Sequence, residues 1–343
     1  YFSDHEFSYV DQSYIQIKPE KIIKSNDLLI SMSGNRHDGS PETWVGKVAP
    51  APKSGIYILN QRVAALRPKE NVRSIERYFG FLLSQWSMQN LFISIATSSG
   101  GQANLSPQQI LNVEVQVPNL AEQHAIASVL SALDDKIELN RRMNETLEAM
   151  AQAIFQDWFV AFGPVRRKQA GVVDPSAILG GLIPDPARAA ELAALFPDRL
   201  GDDGLPVAWE EKPLDQIADF LNGLALQKFP PKCGAESLPV IKIAQLRSGI
   251  SASADRAACD IPAKYIIKDG DFLFSWSGSL LAKFWTSGEG ALNQHLFKVT
   301  SEIYPKWFFA FWTQFHMADF QQIAATKATT MGHIQRHHIS SAM

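Results

Sequence analysis

Residues 22–35 read IIKSNDLLISMSGN, and residues 266–279 read IIKDGDFLFSWSGS. The two stretches are one pattern at an offset of 244 residues. Each sets an apolar, partly aromatic run between an acidic residue and a Ser-Gly pair, which predicts buried strands over 27–33 and 271–277. A second match pairs Asn60-Gln61-Arg62 with Asn293-Gln294-His295 at an offset of 233. A third pairs 78–110 with 307–339 at 229, without a gap; Phe79/Phe308, Gln85/Gln314, Met88/Met317, Ala96/Ala325, Thr97/Thr326 and Ile110/Ile339 are identical. Chance gives one such block. Three in the same order, with a drift of only 15 residues, mean duplication. A period this long excludes a solenoid and implies two homologous domains.

Each copy has a readable interior. Residues 57–66 form a further strand region with a turn at Asn60-Gln61, and 74–96 and 305–325 read as amphipathic helices. Small polar loops follow, TSSGGQANLS (97–106) and TKATTMGHIQ (326–335). Residues 112–117 alternate polar side chains with Val, the period of a strand. The domains are therefore α+β, over 1–118 and 209–343.

Between them, 119–162 predicts one long helix. No Pro or Gly appears from 120 to 162, and Asn119 with Glu122 fits a capping box. Ile126, Leu130, Leu133, Ile137, Asn140, Asn144, Leu147, Ala151, Ile154 and Trp158 step alternately by four and three. That is a coiled-coil seam, with Asn140 and Asn144 setting register. The predicted rod is about 60 Å long, and a single apolar stripe on it calls for a partner helix. Gly163-Pro164 should end it, and 163–208 reads as a Pro/Gly/Ala-rich connector with one short helix near 186–196.

The stretch NLAEQHAIASVLSALDDKIELNRRMNETLEAMAQAIFQDWFVAF (119–162) resembles the central spacer of type I restriction–modification specificity subunits. ALFPDRL (194–200) and GLPVAWEEKPLDQIADFLNG (204–223) resemble that family's connector and the opening of its second target-recognition domain. The resemblance extends over nearly the whole chain. It implies two target-recognition domains alternating with two spacer helices that pair antiparallel. It also implies a split double-stranded DNA site, docking of two modification (methyltransferase) subunits, and a restriction/translocase subunit that can join. It implies no catalytic residue and no cofactor in this chain, S-adenosylmethionine, ATP and Mg being used by the other subunits. By the repeat, domain 1 should open about 35 residues before Tyr1. Residue 343 aligns with 114, so a second spacer helix is expected to follow. The chain thus reads as truncated at both ends, and its spacer helix is expected either to expose its stripe or to pair with another chain.

Charge tests the DNA reading. The whole chain of 343 residues carries −3. Residues 1–119 are net +1, the helix −4, the connector (163–212) −2, and 213–343 +2 with five of the eight histidines. The acidity belongs to the rod and connector, and the domains are mildly basic. Base reading needs polar side chains in exposed loops. Ser33, Asn35 and Arg36 follow one predicted strand; Ser277, Ser279 and Lys283 follow its mate. Arg36 and Lys283 suit a guanine edge, and Asn35 suits adenine. The later loops offer Thr97, Ser98, Gln102 and Asn104 in domain 1, and Thr326, Lys327 and His333 in domain 2. The ordinary alternative is polar turns, with Ser-Gly chosen for φ freedom. On the rod, Arg141, Arg142, Glu145 and Glu148 are candidates to meet a modification subunit, or simply a solvated face.

Other chemistries find little footing. His333, His337 and His338 have repeat mates Asn104, Gln108 and Gln109, which are not a metal set, so no metal site is expected. Asp198 with Glu210, Glu211 and Lys212 loosely matches a Mg-dependent nuclease pattern. Connector-based cleavage is therefore the rival function, beside a coiled-coil scaffold that binds no DNA and a non-functional truncated specificity gene product. No phosphate-binding GxxxxGK[ST] loop, HExxH, GxSxG or (N/D)PP(Y/F) motif appears. KWFFAFW (306–312) has the spacing of core packing rather than base stacking. Two cysteines and no long apolar run fit a cytoplasmic protein.

Overall fold

In a computed structural model, residues 8–25, 27–38, 43–51, 55–69, 75–231, 236–251, 253–326 and 332–342 are described. The chain divides into two compact units, 1–146 and 147–343. The first unit holds α1 (Tyr14–Ile17), β1 (Leu28–Ser31), β2 (Ser33–Gly34), β3 (Val48–Pro50) and β4 (Val63–Leu66). These are followed by α2 (Glu76–Leu83), α3 (Trp86–Ile95), β5 (Thr97–Ser99), β6 (Gln102–Asn104) and α4 (Pro107–Leu111). Helix α5 (Leu120–Phe155) begins in this unit and ends in the second. Two three-stranded sheets result, in the orders β3-β1-β4 and β2-β6-β5, all antiparallel. Ile30, Val45, Phe92, Ile93 and Leu105 meet in the core between β1 and α3.

The second unit continues with α6 (Gly163–Gln169), α7 (Pro175–Ile178), α8 (Pro186–Ala194), α9 (Leu214–Ile217), β7 (Asp219–Asn222), β8 (Ser237–Ile241) and α10 (Ile243–Ser248). Strands β9 (Arg256–Ala258), β10 (Ile266–Ile267), β11 (Phe272–Ser275), β12 (Ala282–Phe284), β13 (Gly290–Leu292) and β14 (Leu296–Thr300) follow. Helices α11 (Lys306–Phe315), α12 (Met317–Thr326) and α13 (Arg336–Ser340) complete it. One sheet runs β12-β11-β14-β7, and a second, β10-β13-β8-β9, contains the parallel pair β13/β8.

Topology bears out the duplication. The central strand β1 lies between β3 and β4, and β11 lies between β12 and β14, in the repeat-related order. Helices α2, α3 and α4 correspond in turn to α11, α12 and α13. The backbone repeats at the same places. Leu105 N–H donates to Met32 O at 2.8 Å, and Ile334 N–H donates to Trp276 O at 2.9 Å. The class is α+β, with a long spacer helix.

Three expectations need correction. Each predicted helix is two: the first pair breaks at Ser84, whose hydroxyl folds back onto Gly80 O and Phe81 O, and the second breaks at His316. Residues 112–117 make no strand. Val113 and Val115 pack on the core from an extended segment, so the alternation recorded one-sided burial without a ladder. The long helix does end before Gly163-Pro164, but the connector that follows holds three short helices rather than one. A π-turn (Gln156–Val160) closes α5, Phe162 takes φ 55°, and α6 starts at Gly163. Arg167 grips both Asp157 carboxylate oxygens at 2.7 and 2.8 Å across this corner.

Asn119 Oδ1 accepts from Glu122 N–H at 3.0 Å, as the expected N-cap of α5. The first turns dock on the first unit through Gln123, Ala127 and Ser131, which are buried. The last turns dock in the second unit. Phe155 and Phe159 pack against Phe308, Phe311, Trp312 and Trp307, so the aromatic block 306–312 serves packing as expected. The connector has its own small core of Val165, Ile178, Leu179, Ala189, Ala193 and Phe196, joined by Trp158 and Trp209. Midway, the α5 seam lies open: Ile126, Leu133, Ile137 and Leu147 are 41–56% exposed. Among the described residues no helix is long and apolar enough to cross a membrane.

Candidate nucleic-acid interface

The candidates of the first unit gather on the small sheet β2-β6-β5. Ser33 pairs with Asn104 and Asn104 with Thr97, which sets three polar side chains in one row across the three strands. Ser33 Oγ donates to Asn104 Oδ1 at 2.7 Å, and Thr97 Oγ1 donates to Asn104 O at 3.2 Å. Gln102 lies two residues along the same strand and is exposed. Asn35 Nδ2 donates to Thr43 Oγ1 at 2.9 Å, and its backbone pairs with the 43–45 strap.

Arg36 is used differently from the sequence expectation. Its guanidinium donates to Ile93 O at 2.9 Å and Ala96 O at 2.5 Å, and approaches Ser98 Oγ at 3.4 Å. It therefore satisfies carbonyls left open at the C-terminal end of α3. The fork is spent on the scaffold and places the β5 loop, rather than being offered to a guanine. Ser98 is exposed beside it.

The second unit brings two of its candidates, Ser277 and His333, to one aromatic ring. Ser277 is buried, its hydroxyl is 2.9 Å from His295 Nδ1, and its backbone bridges His333. Trp276 lies 5.7 Å from the His295 ring and 6.4 Å from the His333 ring. Trp276 is fixed through Nε1, which donates to Asn222 Oδ1 and Gln294 O, both at 3.0 Å. Ser279 is exposed, and its carbonyl accepts from Ser275 Oγ at 2.8 Å. Lys283 is half-buried within β12, opposite Leu273. Thr326 Oγ1 returns to Ile323 O at 2.9 Å, closing α12. Lys327 lies outside the described residues.

The two Ser-Gly pairs owe their glycine to different causes. Gly278 has φ +65°, where an L side chain is strained. At Gly34 a Cβ would collide with the backbone of Thr43, Trp44 and Val45. Gly34→Ala is expected to push the 43–45 strap off the sheet and cost about 1–3 kcal/mol. Gly278→Ala should cost about 1 kcal/mol. Denaturant unfolding of both variants checks the difference, and equal small losses would contradict the close-approach argument.

The histidine cluster is partly structural. His338 Nδ1 accepts from Gln335 N–H at 2.8 Å, capping α13. Its repeat mate Gln109 does the same for Ser106 N–H at 2.8 Å, in the capping box of α4. Among the described residues no group of three or more His, Cys, Asp or Glu side chains is placed to hold a metal ion. The connector carboxylates have other partners: Asp198 meets Lys168 Nζ at 3.0 Å, and Glu210 meets Lys212 Nζ at 3.3 Å. On α5, Arg141, Arg142, Glu145 and Glu148 are all exposed, and Arg142 Nε donates to Glu138 at 2.9 Å.

Two features escaped the sequence reading. One is the aromatic patch His37–Trp44–Trp86, with ring centroids 4.7–5.9 Å apart, Lys47 over Trp44, and Trp86 63% exposed. The other is the pair Arg62 and His295, whose signal was the repeated Asn-Gln dipeptide before each of them.

Comparison with known proteins gives consistent results. Residues 7–149 match the family model of the type I restriction modification DNA specificity domain. The chain is 27% identical over 224 residues to the HindI specificity subunit of Haemophilus influenzae, covering 57% of this chain and 49% of that one. It is 26% identical over 250 residues to the MjaIX specificity subunit of Methanocaldococcus jannaschii, covering 72% and 50%. The chain thus spans about half the length of these curated relatives. Among solved structures, the type I system S subunit from M. genitalium aligns at 14% identity with a TM-score of 0.44, over 90% of this chain and 70% of that one.

Proposed function

We propose, from the match of residues 7–149 to the family model of the type I restriction modification DNA specificity domain, that the chain is the DNA-reading subunit of such a system. Each unit reads one half of a bipartite double-stranded site. Helix α5 fixes the spacing of the readers and docks modification subunits, with Arg141, Arg142, Glu145 and Glu148 at the contact. A fixed separation between two readers turns half-site spacing into specificity. The chain contributes no chemistry of its own; S-adenosylmethionine, ATP and Mg act through the other subunits.

One observation carries this reading. Two copies of one scaffold keep the same strand order and the same backbone ties, yet differ in the side chains they present there. Ser33 and Thr97 recur as Ser277 and Thr326, but Asn104 is replaced by His333, Asn35 by Ser279 and Arg62 by His295. A scaffold held constant under a varied polar surface is the expected design of two readers for two different sequences. The nuclease alternative finds no support in the site, since among the described residues no three acidic or histidine side chains gather to hold a metal ion.

The test is co-purification with the cognate modification subunit, followed by mapping of methylated sites. A bipartite methylated sequence is the expected result. Absence of methylation, or Mg-dependent cleavage by the chain alone that is lost in Asp198→Ala, would overturn it.

A further inference from the structure

Each unit carries an Asn-Gln-X turn built in one way. Asn60 Oδ1 accepts from Arg62 N–H at 2.8 Å, and Asn293 Oδ1 accepts from His295 N–H at 3.2 Å. Each turn is tied to the segment after the central strand. Met32 N–H donates to Arg62 O at 2.7 Å, and Trp276 N–H donates to His295 O at 3.3 Å. That same segment is tied to the post-helix loop through Leu105 in one unit and Ile334 in the other. Three segments far apart in sequence therefore converge identically in both units, and the turn is the third wall of each candidate site.

The side chain at the last turn position differs. Ser31 pairs with Val63, so Arg62 stands opposite Met32, on the same face of the sheet. The His295 and Trp276 rings, 5.7 Å apart, show the equivalent placement in the second unit. Arg62 is exposed, and its guanidinium has no hydrogen bond or ion pair to any described residue. The other arginines of this region are committed: Arg36 to Ile93 O and Ala96 O, Arg67 to Asp27. A stiffly anchored turn, tied through Met32 to the segment that leads into Ser33, presents an uncommitted planar fork of donors that matches the paired acceptors of a guanine edge. His295 is held instead by Ser277 at Nδ1, with the Gln294 amide 3.4 Å from Nε2, and offers no fork.

We propose that Arg62 and His295 are specificity-determining residues at one equivalent scaffold position. Arg62 reads a guanine in the half-site of the first unit, and His295 makes the second unit read a different base there. The inference rests on the DNA-reading function proposed above.

The experiment is selection and sequencing of duplexes from a randomised library, using the full chain assembled with its modification subunit. Arg62→Ala, Arg62→Lys and His295→Ala are compared with the parent. Arg62→Ala is expected to lose one guanine preference in one half-site and to bind the parent's selected duplex about 5- to 150-fold more weakly. The other half-site should stay unchanged. Arg62→Lys keeps the charge but not the fork, so it should recover affinity without recovering the guanine preference. His295→Ala should alter the opposite half-site alone. An equal loss on every duplex, with preferences intact, would make Arg62 a phosphate contact and overturn the proposal. A parent that selects no sequence would instead sink the DNA-reading function itself.

Discussion

The double variant Leu133→Asp, Ile137→Asp is expected to melt with the parent chain and yet to lose its association with a second spacer helix, supplied as a separate polypeptide, by about three orders of magnitude. Both side chains lie on the α5 seam and are 56% and 46% exposed, so neither unit's core depends on them. Surface substitutions of this kind change stability by about 0.5 kcal/mol or less. In an assembled coiled coil the same positions face a partner helix, and each buried unpaired carboxylate costs several kcal/mol. Two of them suffice for a loss of about 4 kcal/mol, which is about 1,000-fold. Thermal unfolding of the free chain and sedimentation of the mixture measure the two halves of the prediction separately. A clear drop in melting temperature would place the stripe inside the fold. Retained assembly would mean that the second helix packs elsewhere than on the seam.

The seam was legible because a helix writes its contacts locally, at spacings of three and four residues. The central strands were legible for a similar reason: apolar runs at 28–31 and 272–275 are continuous enough to mark burial on both faces. The small sheet β2-β6-β5 was not. Its strands are two or three residues long and polar, and it exists because Ser33 and Asn104, 71 residues apart, are brought opposite one another by the core beneath. Nothing in a ten-residue window encodes that pairing. The helix break at Ser84 was hidden as well, since amphipathic spacing survives a hydroxyl that turns back on the preceding turn.

The candidate site divides along the same line. Reading polar residues after the strands and helices picked out segments that the structure brings together, with Ser33, Thr97 and Asn104 in one row. It did not separate residues that face outward from residues that build the loop. Arg36 has the chemistry of a base reader and serves a helix end. Arg62 has the same chemistry and no side-chain partner among the described residues, and it follows a turn dipeptide whose Asn is structural. The repeat held the information needed: an identical Asn-Gln pair followed by Arg in one copy and His in the other marks a fixed backbone with a variable tip.

Asp27→Ala is expected to destabilise the first unit by about 3 kcal/mol, the largest loss anticipated for a single polar side chain there. Asp27 is 3% exposed at the start of β1. Its Oδ1 and Oδ2 each accept from Arg67 at 2.6 Å, and Oδ2 also accepts from Lys24 N–H at 2.9 Å. Removing the carboxylate strands a guanidinium and a backbone donor. The estimate sits at the low end of the range for broken buried pairs because Arg67 is one-third exposed and water can reach it. The repeat supports the importance of the pair. The mate Asp271 accepts from Lys268 N–H at 2.9 Å and meets Lys298 Nζ at 2.7 Å. Arg67's own mate is Thr300, so the second copy draws its cation from a different position on the neighbouring strand and keeps the same chemistry. The pH dependence follows from the carboxyl. Burial acts to raise its pKa, but the Arg67 bonds and the Lys24 N–H outweigh it and hold the group below the ordinary carboxylate value. A depressed folded pKa gives stability that is complete above the unfolded pKa, about 3.9, and is lost as pH falls through the folded value. The gap between parent and Asp27→Ala should therefore be widest near neutrality and close only below about pH 4. Amide exchange of residues 28–31, with 272–275 as the internal reference, reads the gap in the first unit alone. A gap that stays constant down to acid pH would show that the lost stability comes from packing rather than from the charge.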